Sequence, residues 1–275
     1  MKTGFLITAR LKSKRLKLKI LLPLNGYTVI ERVIQRAKAV DKCDGVVLCT
    51  SMLNQDLPLV QIAKKENIYH FNGHAEDVLQ RLLDACMLFG FDFFIGITAD
   101  NPLFSIHHAS LISNMIQKDP ALDYVYTHSM PVGVNIYAVN VKALKTVCTI
   151  KEQVDTEIWG YLINQPEIFN VKEIPIAQDF IRSNYRLTLD EKDDYLFFKT
   201  LYSQFDKDNV IDILDAYQYL DNNPQVAQIN TNVKQRDLDE ETKKKIDEHY
   251  MKNRAKILKI KEIIYADDQN ELPLI

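Results

Sequence analysis

Three observations predict an α/β fold with a mostly parallel sheet and helices on both faces. Short runs rich in β-branched and aromatic residues alternate with amphipathic stretches, strand-then-helix repeats four times, and no Gly/Ser-rich linker breaks the series. Strands covered on both faces by crossover helices read as continuous apolar runs, as these do. Ligands of such sheets sit beyond the carboxyl ends of the strands, where the strand order reverses.

The expected strands are GFLIT (4–8), GVVLCT (45–50), NIYHF (67–71), FDFFIGIT (91–98) and DYVYT (123–127). Between the first two, TVIERVIQRAKAV (28–40) offers Thr28 as an N-cap and places Val29, Ile30, Val33, Ile34 and Ala37 on one helical stripe. PLVQIAKKE (58–66), EDVLQRLLDACMLF (76–89) and HASLISNMIQK (108–118) repeat that pattern. Beyond Thr127 the regularity changes. VNIYAVN (134–140) and VKEIPI (171–176) are expected as strands of a smaller mixed region, YRLTLD (185–190) as a returning strand, and DDYLFFKTLYSQF (193–205) as a helix. We therefore expect one domain over 1–230 with a small mixed α/β insertion around 128–184. A charged helical extension over 231–275, solvated or bundle-packed with a frayed acidic end, follows it.

With 275 residues, 47% of them hydrophobic, the chain can bury a full core. No apolar run reaches the ~18 residues that cross a bilayer, and the first residues lack a signal-peptide pattern, so a cytoplasmic protein without a membrane partner is expected. Cys43, Cys49, Cys86 and Cys148 form no CxxC pair, which points to reduced thiols and no zinc site. His70 and His74 straddle a turn and do not have helical metal spacing, and His107 and His108 flank a helix start. A net charge of −3 gives the molecule as a whole no polyanion-binding character.

Any basic function must be local, and one segment stands out. The ten residues RLKSKRLKLK (10–19) hold six cations and no acid, directly after the first strand. A lysine-rich surface loop, a nucleic-acid patch and a phosphate site are the three readings. The segment has no aromatic residue on which a base could stack, so nucleic acid is not expected as a partner. It also has no glycine, so phosphate would have to be held by Arg and Lys heads, not by a backbone cradle. A triphosphate is the natural ligand for several cations converging from one loop.

ARLKSKRLKLK resembles the AR..S.RLP.K signature of cytidylyltransferases of the spore-coat polysaccharide type, relatives of the CMP-KDO and CMP-sialic acid synthetases. FNGHAEDVLQRLLDA, ITADNPLF, PVGVNIYAVNVKAL, DTEIWGYLINQPEIFNV and YRLTLDEKDDYLFFKTLY are similar to later segments of that family, in the same order. The likeness runs from about residue 5 to about residue 230. Four positions beside the nucleotide depart from it: Lys17 and Leu18 replace Pro and Gly, Ala99 replaces Gly and Asn101 replaces Cys. Ile158 stands where relatives often carry His.

The resemblance implies a Rossmann-like sheet of the nucleotide-diphospho-sugar transferase type and transfer of a nucleotidyl group from CTP to a small acceptor, with Mg²⁺ as cofactor. A sugar acid is the family-weighted acceptor, a phosphorylated or phosphonate small molecule the next. Arg10, Arg15 and Lys19 are the implied catalytic cations. The implied nucleotide contacts are Arg10, Ser13, Lys19, Thr50, Ser51, Asp77, Arg81 and Asp100, and the implied acceptor contacts Gly133, Asn135, Glu157 and Asp194. Lys12, Lys14 and Lys17 fall outside the matched positions and are expected in solvent. Asp100 and Asp190 each close an apolar run, so they are the expected metal pair, with helix capping as the alternative. Asp77 and Arg81 could instead form an intrahelical pair. Relatives commonly dimerise through the region after Thr127, which makes Trp159 and Tyr161 candidate anchors of a homodimer. A glycosyltransferase of related fold would need an Asp-x-Asp motif where this chain reads TADN. A regulator that had lost catalysis would not be expected to retain Arg10, Lys19, Asp100 and Asp190.

Overall fold

Which apolar runs pair is decided by what each can bury. The computed structural model describes residues 1–154, 156 and 158–267. The chain forms β1 (Thr3–Thr8), a small hairpin of β2 (Pro23–Leu24) and β3 (Tyr27–Thr28), α1 (Val29–Lys38), β4 (Gly45–Ser51), α2 (Leu57–Lys65), β5 (Tyr69–Gly73), α3 (Val78–Phe89), β6 (Phe93–Thr98) and α4 (Ile106–Lys118). It continues with β7 (Tyr124–Tyr126), β8 (Tyr137–Asn140), α5 (Val141–Ile150), α6 (Gly160–Ile163), β9 (Val171–Glu173), α7 (Lys192–Tyr202), α8 (Ile213–Asn222), α9 (Pro224–Ala227) and α10 (Glu240–Ala266).

Seven strands make one sheet in the order β5-β4-β1-β6-β8-β7-β9. β1 runs parallel to both β4 and β6, β4 parallel to β5 and β7 parallel to β9, while β8 is antiparallel to its two neighbours. The chain builds outward from β1 to β5 and then returns to place β6 on the other side of β1. The order therefore reverses between β1 and β6, and the crevice above their carboxyl ends is where the fold places a ligand.

Side chains alternate across the sheet. Phe5, Ile7, Leu48, Ile95 and Ile97 pack against α1, α2 and α4 on one face. Leu6, Val47, Cys49, Phe94 and Val139 pack against α3, α5 and α10 on the other. The charged extension joins this second core through Ile246, Tyr250 and Ile257 of α10. A third core, around Leu187, Leu189, Phe197, Phe198, Leu201 and Tyr217, fastens α7 and α8 to the hairpin. Two buried arginines of α1 tie it to the hairpin and to neighbouring loops: Arg32 donates to the Leu24 and Lys207 carbonyls, Arg36 to those of Phe104 and Ile211.

Several expected strands are corrected. Residues 185–190 run extended but are not a strand of the sheet: Arg186 makes an isolated bridge to Val132, and the Leu189 N–H donates to the Asp100 carbonyl at 2.9 Å. The reason is occupancy, because β6 already has β1 on one side and β8 on the other. Only the second half of 134–140 and the first half of 171–176 pair as strands. β5 starts two residues late because Asn67 takes a left-handed turn at φ 52°.

Candidate active site

The cation loop leaves β1 at the reversal point and is fixed from below. Asp56, fully buried, accepts the Leu11 N–H at 2.7 Å and the Ser51 hydroxyl. Ser51 thus holds the base of the loop and does not reach the rim expected of it. The loop turns at Leu18, whose φ of 54° lies in the left-handed region where glycine is favoured, and enters a short 3₁₀ turn over Lys19–Leu21. Glycine at this position in the family resemblance has its physical reason here.

From that turn the Lys19 ammonium donates to Asp100 Oδ2 at 2.6 Å and to Asp190 Oδ1 at 2.8 Å. Arg15 donates to the same Asp190 oxygen at 2.7 Å. Asp100 stands just past β6, and its Oδ1 accepts the Thr98 hydroxyl at 2.5 Å. Thr98 in turn accepts from Asn101 Nδ2 at 2.6 Å, so Asn101 steadies the acid beside it.

Neither aspartate is a helix cap. Ser105 caps α4, and Glu191 with Asp194 closes the capping box of α7. Two carboxylates converging on one cation form a donor set that suits Mg²⁺, which takes one or two carboxylates and completes its octahedron with water and phosphate oxygens. Among the described residues no group of three His, Cys, Asp or Glu offers a fuller cage.

The electrostatics follow from burial and pairing. Burial disfavours the Lys19 ammonium, but Asp100 and Asp190 outweigh it and raise the pKa above the ordinary lysine value. Burial raises the Asp190 carboxyl, and Lys19, Arg15 and Arg186 overcome that and lower it. Arg186, which the sequence reading did not single out, donates from Nη2 to Asp190 Oδ2 at 2.8 Å and from Nε to Asp194 Oδ1 at 3.0 Å. Asp194 has no exposed surface and accepts the Asp190 and Glu191 N–H groups as well. Its expected acceptor contact is therefore corrected: it positions Asp190 from inside the protein.

Arg10 lies on the β4 side of the crevice. Its side chain is 7% exposed, its Nη1 and Nη2 make no hydrogen bond, and Glu76 is its ion-pair partner at 3.3 Å. The same Glu76 pairs with Lys12 at 2.5 Å, so Lys12 is not the solvated residue expected. Lys14 and Lys17 are exposed and Ser13 is half-buried. Thr50, at the end of β4, is fully buried with an unpartnered Oγ1. Buried polar groups in native proteins are nearly always satisfied, so orphaned donors at the mouth of a crevice mark where a ligand's acceptors belong.

Other expected contacts have internal work. Arg81 donates to the His74 carbonyl at 2.6 Å and braces the loop that carries Glu76. Asp77 caps α3, pairs with Lys151 and accepts the Thr156 hydroxyl at 3.0 Å, so it neither faces the nucleotide nor pairs with Arg81. Gly133 has φ +93°, and a Cβ there would lie 2.0 Å from the Leu187 carbonyl oxygen, so its role is to let segment 185–190 approach. Asn135 Nδ2 donates to the Met130 carbonyl at 2.9 Å, while its Oδ1 is buried and unpartnered. Glu157 lies outside the described residues. Trp159 packs edge-to-face on Tyr137 within the second core, and Tyr161 donates to Asp247 of α10. Trp159 is therefore a core residue, while Tyr161 is half-buried.

Asp56 was missed because the loop it holds lies 45 residues away, and Arg186 because it lies in an extended segment, where no helical spacing links it to Asp190 and Asp194. The one local signal was charge next to an apolar run, as in YRLTLD.

Comparison with known proteins gives the family and the fold. Residues 5–246 match the cytidylyltransferase family model. The chain is 32% identical over 238 residues to an uncharacterised protein of Methanocaldococcus jannaschii, covering 86% of this chain and 97% of that one. It is 29% identical over 232 residues to the spore coat polysaccharide biosynthesis protein SpsF of Bacillus subtilis, covering 81% and 95%. A cytidylyltransferase structure from Leptospira borgpetersenii superposes with a TM-score of 0.77 at 28% identity, over 86% of this chain and all (100%) of that one. The fold is also that of a CMP-2-keto-3-deoxy-manno-octonic acid synthetase solved with CTP, at a TM-score of 0.60 and 17% identity over 74% of this chain and 99% of the other. With a nucleotidyltransferase sheet, a cation loop at its reversal point and a family match over most of its length, the chain belongs to the cytidylyltransferase family.

Proposed function

We propose that this protein transfers the cytidylyl group of CTP to a sugar acid or related acceptor for glycan synthesis, with Mg²⁺ at Asp100 and Asp190. The observation that carries the reading is the convergence of Arg15 and Lys19 on these two carboxylates at the reversal point, with the Arg10 guanidinium, ion-paired to Glu76, on the same loop. In the reaction an acceptor oxygen attacks the α-phosphorus, the bond to the bridging oxygen of the β-phosphate breaks, and pyrophosphate leaves with that electron pair.

Arg10, Arg15 and Lys19 have the charge to bind the β- and γ-phosphates and to stabilise the leaving pyrophosphate. Ser13 and Thr50 offer hydroxyls on the nucleotide side, and Arg81 holds the wall that carries Glu76. Asp100 and Asp190 would hold the metal, which supplies charge neutralisation at the α-phosphate and a lowered pKa for the attacking hydroxyl. Asn101 and Arg186 keep those carboxylates aimed. Asn135, with its free buried oxygen, is the acceptor-side group that remains from the sequence reading.

The test is pyrophosphate release with Mg²⁺, each of the four nucleoside triphosphates, and a panel of sugar acids and sugar or alkyl phosphates. Release that requires both CTP and one acceptor is expected. Tight CTP binding with no release for any acceptor would overturn the catalytic reading.

A further inference from the structure

The carboxylate pair is bridged by a residue of the chain itself. Asp100 Oδ1 is engaged by Thr98 and Asp190 Oδ2 by Arg186. The oxygens left to face each other are Asp100 Oδ2 and Asp190 Oδ1, and both accept from Lys19 Nζ, at 2.6 and 2.8 Å. A magnesium ion binds carboxylate oxygens at about 2.0–2.1 Å. An ammonium and a dication cannot share that point.

We propose that Lys19 has two stations: in the nucleotide-free protein it bars the divalent cation from Asp100 and Asp190, and the metal enters only with the triphosphate that draws Lys19 away. The proposal rests on the reading of these aspartates as the metal pair. Charge supports it. Asp190 already contacts Arg15, Lys19 and Arg186, so a free dication arriving alone would meet three cations around one carboxylate. Burial supports it too. The Lys19 side chain is 13% exposed, so leaving its two acids for no new anion would strand a partly desolvated ammonium. A triphosphate changes both terms, because it supplies an anion for Lys19 and charge to offset the metal. The metal–nucleotide complex is then the binding species, and the free protein discriminates against bare Mg²⁺.

The experiment titrates Mn²⁺ by electron paramagnetic resonance into the full chain and its Lys19→Met and Lys19→Gln variants, without nucleotide. Far-ultraviolet circular dichroism checks that each is folded, and glutamine guards against a packing defect peculiar to methionine. Both variants should bind Mn²⁺ about tenfold tighter or more than the wild type, the scale of removing one close charge. Adding Asp190→Asn to either should abolish the gain. Equal Mn²⁺ affinity in wild type and both variants would overturn the two-station role and leave the metal pair standing. If Asp100→Asn and Asp190→Asn each left Mn²⁺ uptake with CTP unchanged, after correction for Mn²⁺–CTP formed in solution, the metal reading itself would fall, and the proposal with it.

Discussion

Both edges of the sheet carry aspartate–cation pairs, Asp123 at one and Asp100 with Asp190 at the other, and they differ in how completely the surrounding polar groups are satisfied. At the amino edge, Asp123 at the entry to β7 is 1% exposed. It accepts Lys261 Nζ at 2.7 Å, the Asn170 N–H at 2.9 Å and the Tyr265 hydroxyl. These bonds moor the last turns of α10, beyond the residues that match the family model. At the carboxyl edge, Asp100 meets Lys19 and Asp190 meets Lys19, Arg15 and Arg186, but Thr50 Oγ1, Asn101 Oδ1 and Asn135 Oδ1 are buried without a hydrogen-bond partner among the described residues. A closed network stabilises a contact, while an open one leaves polar groups that a ligand could satisfy. Charge clustering alone does not distinguish the two.

The sharpest test of that contrast is Asp190→Asn beside Asp100→Asn. Each should fold and lose about 10²–10³-fold or more in kcat, because a carboxylate that would hold the proposed metal is removed and with it the charge the metal would supply. Pyrophosphate release under saturating substrate measures it, and normal turnover in either variant would withdraw that residue from the site.

Asp123→Asn should show the converse. Breaking a buried ion pair that also holds a tyrosine hydroxyl should cost about 3 kcal/mol in urea unfolding. The kcat/KM per folded molecule should stay at the wild-type value. A large kcat loss without a stability loss would erase the distinction between the edges.

Arg10→Ala is a smaller change of the same kind as Asp190→Asn. Nucleotide KM should rise about 10–100-fold, the worth of one or two charge-assisted bonds. The melting temperature should change little, because its partner Glu76 is solvent-exposed and keeps Lys12 as a second cation. A marked fall would mean that Arg10 is structural, like Asp123.

The mildest effect is in pH. Burial raises the Asp190 carboxyl, but Lys19, Arg15 and Arg186 hold it below its unfolded value. A carboxyl depressed on folding stabilises the native state above its unfolded pKa and loses that contribution as pH falls through the folded one. The stability gap between wild type and Asp190→Asn should therefore be open at about pH 6 and narrow by about pH 3. A gap that widened towards acid would reverse the sign of the pairing.

The sequence by itself determined the layered sheet, the placement of the cation loop beside Asp100, and the family. Those follow from local periodicity and strand ends: once GFLIT and FFIGIT are neighbouring parallel strands, Arg10, Lys19 and Asp100 must emerge at one edge. Only the tertiary structure decided that 185–190 stays outside the sheet, because β8 had taken the place beside β6. Only it showed that Asp194, Asp77 and Ser51 face inward, that Trp159 fills the core, and that Arg186 and Asp56 brace the site from behind. The physical reason is that a side chain's partner is set by burial and by how segments pack, whether four residues away, as with Arg186 and Asp190, or 175, as with Arg15 and Asp190, and no local pattern encodes which of several nearby acids a cation will meet.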